Sequence, residues 1–259
     1  MTDPVPASPS PAVTRAFAIL HAIAGAAQPL GPSALARHLG IAKSSISNLC
    51  RALEAEGALQ RVDRGYVLGR TLAELGGAFL SEVDEVRNFY RTVNRAADQH
   101  PNTIQLATLT NGLEVVYLAR RDGSQPVRLA SEIGRRLPAS CTAVGKALLA
   151  QLPVDELDAL LADADPLPRP TRRSITTMEE LRFELQRIRD RGYAIDDGEM
   201  ADSVVCVGVA LPMTVYRRQP MAVSLTLMQA VATQELIESS VNLLRDLAAE
   251  LAGAPLPDR

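Results

Sequence analysis

Tryptophan is absent from this chain of 259 residues, and aromatic residues as a whole make up only 3% of it. A core must therefore be aliphatic, and with 47% hydrophobic residues there is material for a sizeable one. Cysteine is scarce: Cys50, Cys141 and Cys206 are an odd number, widely spaced, with no C-x-x-C pair. That pattern argues against a disulfide framework and indicates a reducing compartment. His21, His38 and His100 are scattered and offer neither metal-ligand spacing nor a nucleophile–base pair. No metal, no cofactor and no catalytic residue is expected. The longest apolar-leaning stretch, near Phe17 to Ala27, is too short for a membrane span and is interrupted by His21. Residues 1–11 are rich in Pro and Ser, contain an acid and lack a basic region or an apolar core. They read as a disordered tail, not a signal peptide. A cytoplasmic protein with no membrane partner is expected.

The length suggests two domains of different size. The net charge of −3 is unevenly spread: residues 1–70 carry +3 and the remainder −6. A small basic head on a larger acidic body suits a nucleic-acid reader joined to a module with another task.

Residues 31–68 carry the strongest local signal. Gly31-Pro32 opens a short helix, since Gly is acceptable at the N-cap and Pro fits the first helical position. Leu35 and Leu39 give it an apolar edge, and Gly40 followed by Ile41 stops it. A second helix is expected from about Lys43 to Glu56, with Ile46, Leu49, Cys50 and Leu53 on one side. Ser44, Ser47, Asn48 and Arg51 cluster on the other, each able to bond a base edge or a phosphate. After Gly57, LQRVDRGYVL predicts two short strands around a three-residue hairpin at Asp63-Arg64-Gly65, a wing decorated by Arg61, Arg64 and Tyr66. This is a helix-turn-helix with a wing, expected to bind double-stranded operator DNA through Lys43, Ser44, Ser45, Ser47, Asn48, Arg51, Arg61, Arg64 and Tyr66. The plainer reading is a helical hairpin with a solvated polar face.

Val13 to Ala24 predicts a helix beneath this motif, and GRTLAELGGAFLSEV a linker helix softened by Gly76-Gly77. A helix from roughly Val86 to Gln99 follows. Thr103–Thr110 and Leu113–Ala119 read as a hairpin around Asn111-Gly112. Helices are expected at about Thr142–Gln151 and Val154–Ala162. After the loop DPLPRPTRRS, the capping box Thr177-x-x-Glu180 opens another, which Gly192 ends. Strands YAID, SVVCVGVAL and MAVSLTL precede a closing helix near Thr233–Leu251. This order suggests an antiparallel sheet with helices on its faces.

The head, the linker and two later segments, LPASCTAVGKALLAQL at 137–152 and RGYAIDDGEMADSVVCVGVALP at 191–212, resemble the IclR family of bacterial transcription regulators. The resemblance covers nearly the whole chain after residue 11. It implies an α+β chain: a winged helix-turn-helix at 12–70, a linker helix at 71–85, and a GAF-like α/β effector-binding domain at 86–259. It also implies a homodimer or homotetramer. The family's effector pocket maps onto Ala143, Val144, Asp196 and Cys206, with Ser224 and Thr226 at its small hydroxyl positions. Two residues depart from the family pattern, Asn48 where many members carry Arg, and Ser203 where Gly is common.

The pocket residues also have a physical reading. Ala143–Gly145 lie at a helix start, where free N–H groups and the dipole favour an anion such as a carboxylate. Asp196 could accept a hydrogen bond from a ligand hydroxyl or N–H. Cys206, in VVCVGV, suits a small apolar wall better than a nucleophile. From periodicity alone, Cys206 and Ser224 read equally well as core residues of the sheet. SCTAVGKA is no phosphate loop, because Ser140 stands where Gly is needed and Ala147 where Ser or Thr is. Asp196-Asp197 point to opposite sides of a strand end. The expected function is DNA-binding regulation under a small organic acid effector, aromatic acids included. The alternative is an enzyme acting on a small organic acid, which turnover by the purified protein would reveal.

Overall fold

Proline and glycine punctuate the N-terminal helices much as their backbone preferences require. The computed structural model describes residues 9–95, 101–110, 112–124, 131–162, 164, 166–213 and 219–253. The chain divides into two compact units, Met1–Glu82 and Val83–Arg259. In the first, α1 (Pro11–Ala24) begins with Pro in its first turn. Pro11 is therefore helical and not part of a tail, and residues 1–8 lie outside the described residues. The second helix, α2 (Pro32–Leu39), starts on Gly31-Pro32 and ends at Gly40 in the left-handed conformation, whose N–H caps Ala36. It is followed by α3 (Lys43–Ala55). Ile19, Leu20, Ile23, Leu35, Ile46 and Cys50 form the core of this unit.

The wing is β1 (Leu59–Val62) and β2 (Gly65–Leu68), antiparallel. Val62 pairs with Gly65, so the loop is the two residues Asp63-Arg64 and not the expected three. Gly65 is already strand, at φ 147°, and a Cβ there would stand 2.5 Å from the carbonyl carbon of Leu30. That close approach lets Leu30 bridge to Tyr66 as a third strand-like segment beside the wing. The unit ends with α4 (Arg70–Glu82), which buries none of its side chains.

In the second unit, α5 (Asp84–Arg95) precedes β3 (Thr103–Leu109) and β4 (Glu114–Arg121). Residues 96–100 and Asn111 of the expected turn lie outside the described residues. Next come a short strand missed in the sequence, β5 (Arg136–Pro138), then α6 (Ala143–Gln151), α7 (Val154–Leu161) and α8 (Met178–Arg191). The capping box at Thr177 and Glu180 is formed, and Gly192 closes α8 at φ 80°. The chain finishes with β6 (Ala194–Asp197), β7 (Val204–Ala210), β8 (Met221–Met228) and α9 (Gln234–Leu251). No helix among the described residues is long and apolar enough to cross a membrane.

These six strands form one sheet in the order β5-β4-β3-β8-β7-β6, antiparallel throughout. Alternation along the strands sorts residues between its faces. One face carries Leu106, Val207, Val223 and Leu225, with α5 and α9 packed against the sheet on their side. The other receives α6 and is unusually polar for a buried surface. Gln105, Gly208 and Ser224 are in register there, as are Thr103, Cys206, Thr226 and Asp196 one row along. The first turn of α6 rests directly on Gly208: a Cβ at that position would lie 2.6 Å from the carbonyl carbon and oxygen of Ala143. A side chain there must push α6 off the sheet. Gly208→Ala should therefore lower stability by about 1–3 kcal/mol, the usual cost of overpacking a fitted interior, measured by chemical denaturation of the two proteins.

Candidate functional site

Two places gather the residues singled out in the sequence. The first is the surface formed by α3 and the wing. Lys43, Ser44 and Asn48 are exposed along α3, while Ser45 and Ser47 are half-buried on its flanks. Ser47 and Arg51 face Arg61 and Arg64 across a groove. Arg51 Nη2 donates to Asn48 Oδ1 at 2.6 Å, so the amide oxygen of Asn48 is already engaged. Tyr66 departs from expectation. It is 4% exposed, its ring belongs to the core of the unit, and its hydroxyl donates to Glu54 Oε2 at 3.3 Å. Tyr66 lies between Arg61 on β1 and Leu30 on its other side, so it occupies the middle of the local sheet and not a free edge. Burial and the bond to Glu54 give Tyr66 a structural role, while it also lines the groove beside Arg61 and Arg64.

The second is a cavity of about 60 Å³ between the first turn of α6 and the polar face of the sheet. Ala143, Val144, Asp196, Cys206 and Ser224 all line it. Thr226 does not. It sits one row away with its hydroxyl 3.5 Å from Cys206 Sγ, paired in register with Thr103 and Cys206. The lining also includes Gln105, Tyr117 and Ser203, the first two unmarked by any motif. The alternation of Thr103 with Gln105 between the apolar Ile104 and Leu106 is a signal that could have found Gln105.

Thr142 caps α6: its Oγ1 accepts from Gly145 N at 3.2 Å and its carbonyl from Lys146 N at 2.9 Å. The N–H groups of Ala143 and Val144 come too early in the helix for an intrahelical partner, and both residues line the cavity. On the sheet side, the hydroxyls of Tyr117 and Ser224 meet no hydrogen-bond partner among the described residues, although both residues are buried. Gln105 is held by Ser131, donating to its carbonyl at 2.7 Å.

The loop after β6 closes the cavity with Met200, Ala201 and Ser203. Asp196 organises it, since its Oδ1 accepts from Glu199 N at 2.7 Å and Met200 N at 3.2 Å. Lys146 reaches through from α6 to a buried ion pair with Glu199. From outside, Thr171 Oγ1 donates to Gly198 O and Ser174 Oγ to Glu199 O, both at 2.7 Å. The Pro- and Arg-rich loop, which had no role in the sequence, thus clamps the lid of the cavity.

Burial decides the protonation states. Desolvation, with the Glu199 carboxylate adding to it, pushes Asp196 up to about 7 against the opposing loop N–H bonds and Lys146. Glu199 is also raised, again by burial, with Lys146 opposing. Burial pushes the Cys206 thiol far above its ordinary range, which makes it a neutral wall and no nucleophile.

Comparison with known proteins gives this geometry its setting. Residues 77–252 match the model of the bacterial transcriptional regulator IclR C-terminal domain, and residues 12–63 that of the IclR helix-turn-helix domain. The chain belongs to the IclR family. It is 31% identical over 199 residues to the HTH-type transcriptional regulator KdgR of Escherichia coli, covering 76% of this chain and 74% of that one. The crystal structure of Thermotoga maritima IclR superimposes with a TM-score of 0.69 at 28% identity, covering 93% of this chain and 97% of that one. An IclR homologue from Microbacterium hydrocarbonoxydans, complexed with 4-hydroxybenzoate, shares the fold at 22% identity (TM-score 0.75), with 93% and 98% of the chains covered. The chain is thus a transcriptional regulator with a helix-turn-helix domain and a family C-terminal domain, and not an enzyme.

A carboxyl that keeps its proton to about pH 7 when folded, but loses it near 3.8 when unfolded, stabilises the fold only at low pH. That contribution drains away as pH rises between those values. Asn keeps the Oδ1 acceptor and cannot ionise. Across that window, wild type should lose stability relative to Asp196→Asn by about 1.4 kcal/mol per pH unit, then run parallel above it, read from denaturant midpoints over a pH series.

Proposed function

We propose that this regulator binds an operator of two related half-sites as a homodimer or homotetramer, and that a small organic acid in the cavity beneath α6 controls that binding. The observation that carries the effector reading is the convergence, in one buried cavity, of the first turn of α6 with Asp196 and with the hydroxyls of Tyr117 and Ser224, which meet no partner among the described residues. A cavity mostly apolar with a few convergent polar groups is the usual form of a small-molecule site. Ala143, Val144, Asp196, Cys206 and Ser224 are its contacts in this reading, and Thr226 stands behind Cys206. Residues 12–70 read DNA, α4 links, and the remainder senses.

Multiplicity is supported by two further features. One recognition helix supplies too few base contacts for operator-level affinity. The first unit also leaves large apolar side chains exposed, Val13 and Phe17 on α1, Leu75 and Phe79 on α4.

On α3, Asn48 reads a base and Arg51 its neighbour or a phosphate. Ser44, Ser45 and Ser47 fix register, while Lys43, Arg61 and Arg64 neutralise phosphates. Because Arg51 holds the Asn48 amide oxygen, a bidentate grip on adenine requires that bond to open first. Asn48→Ala should cost about 1–3 kcal/mol on the preferred operator and far less on random duplex. Equal losses on both, in a titration at fixed salt, would show that Asn48 only positions the helix.

Effector coupling is tested by titrating operator DNA with and without each of a set of small carboxylic and aromatic acids. An acid that occupies the cavity should change operator affinity by about 1–3 kcal/mol, and Val144→Phe, which fills the space beside the first turn of α6, should lose that response. An acid response that survives the added ring places the effector elsewhere.

A further inference from the structure

Among the described residues lining the cavity there is one carboxylate, Asp196, and no Lys, Arg or His. The ammonium of Lys146 is committed to Glu199. The titratable groups facing Asp196 are Glu199 on its own loop, Lys146 from α6, Tyr117 from β4, Cys206 from β7 and Cys141 from the turn before α6. Burial holds the last three neutral at ordinary pH. Two acidic groups, Asp196 and Glu199, therefore share one basic partner, Lys146, beside a helix start that favours an anion.

A carboxylate entering the cavity meets Asp196 at close range with little water between them. Two carboxylates in such a place hold one proton between them, because both cannot ionise. The proton has one good position on Asp196. Oδ1 already accepts two loop N–H groups, whereas Oδ2 has no protein partner among the described residues.

We propose that the cavity takes a small monocarboxylate together with a proton, with Asp196 binding as the carboxylic acid and donating from Oδ2 while the ligand's charge lies at the first turn of α6. The inference rests on the cavity being the effector site. The proton comes from solvent, and no covalent bond changes except the new O–H on Asp196. Protonated Asp196 then joins the Tyr117 and Ser224 hydroxyls and the Ala143 and Val144 N–H groups as donors. A dicarboxylate is rejected, because its second charge finds no proton-bearing partner. Burial already lifts Asp196 to about 7, so uptake accompanies binding above that pH and vanishes below it.

The test is calorimetric titration of the full chain with acetate, lactate, benzoate and 4-hydroxybenzoate, with succinate for comparison, between about pH 5.5 and 8.5 in two buffers of different ionisation heat. At about pH 8, the bound acid should bring close to one proton. Its affinity should fall about tenfold per pH unit above 7 and level off below it, and succinate should not bind. Asp196→Asn should bind the same acid with affinity independent of pH. If that variant fails to fold, the proton count of wild type decides alone. An acid bound without proton uptake, or one whose affinity drops as pH falls, overturns the proton coupling and leaves the effector site standing. No acid bound at any pH overturns the effector site and this inference together.

Discussion

Seating α6 on the sheet at Gly208 is the contact on which the second unit's interior depends. Only a residue without a Cβ lets the carbonyl of Ala143 and the nitrogen of Val144 come so near a strand, and that close approach brings the helix start against the sheet. The partial positive charge of a helix start is thereby aimed at a row of hydroxyl, thiol and carboxyl groups instead of at water. Thr142, which caps that turn, uses its side-chain acceptor on Gly145 and not on the N–H groups of Ala143 and Val144.

The buried pair of Lys146 and Glu199 works from the same seat. A pair of this kind contributes little net stability over an apolar replacement, but removing one partner strands the other and costs about 3–5 kcal/mol. Its use here is geometric. It holds the loop of Glu199, Met200 and Ala201 at a fixed height above α6, while Thr171 and Ser174 hold the same loop from outside. Asp196 thus sits among fixed dipoles at the cavity wall, with Oδ1 bonded to the loop and Oδ2 without a hydrogen-bond partner among the described residues.

Local chemistry was legible in the sequence; pairings between distant segments were not. Gly31-Pro32, Gly40, Thr177 with Glu180, and Gly192 each end or begin a helix through bonds reaching no more than five residues away, and all were readable in place. The pocket residues that lie in the two family segments were readable too, from Ala143 and Val144 to Asp196 and Cys206. Tyr117 was invisible because its place on the cavity follows from β4 joining β3, which only then meets β8 from the far end of the chain. Lys146 and Glu199, 53 residues apart, carried no pairing signal in the sequence, and only the fold brings them together. Tyr66 stood out as a wing residue, but how far it is buried was hidden for the same reason. Its burial depends on Leu30, a strand-like neighbour that no periodicity announces.

The helix α4 carries a different consequence. It is anchored at its start, where Thr71 Oγ1 donates to Glu56 O and Leu72 leans on the core of the first unit, yet it buries none of its 13 residues. A helix of that length is marginal in water on propensity alone, and Gly76 and Gly77 weaken its middle by about 1 kcal/mol each relative to Ala. Its stiffness is therefore borrowed from whatever lies along Leu75 and Phe79. A helix of this kind is stiff when its apolar side is covered and slackens when that side is bare, so its rigidity is set by what lies against Leu75 and Phe79 and not by its own sequence.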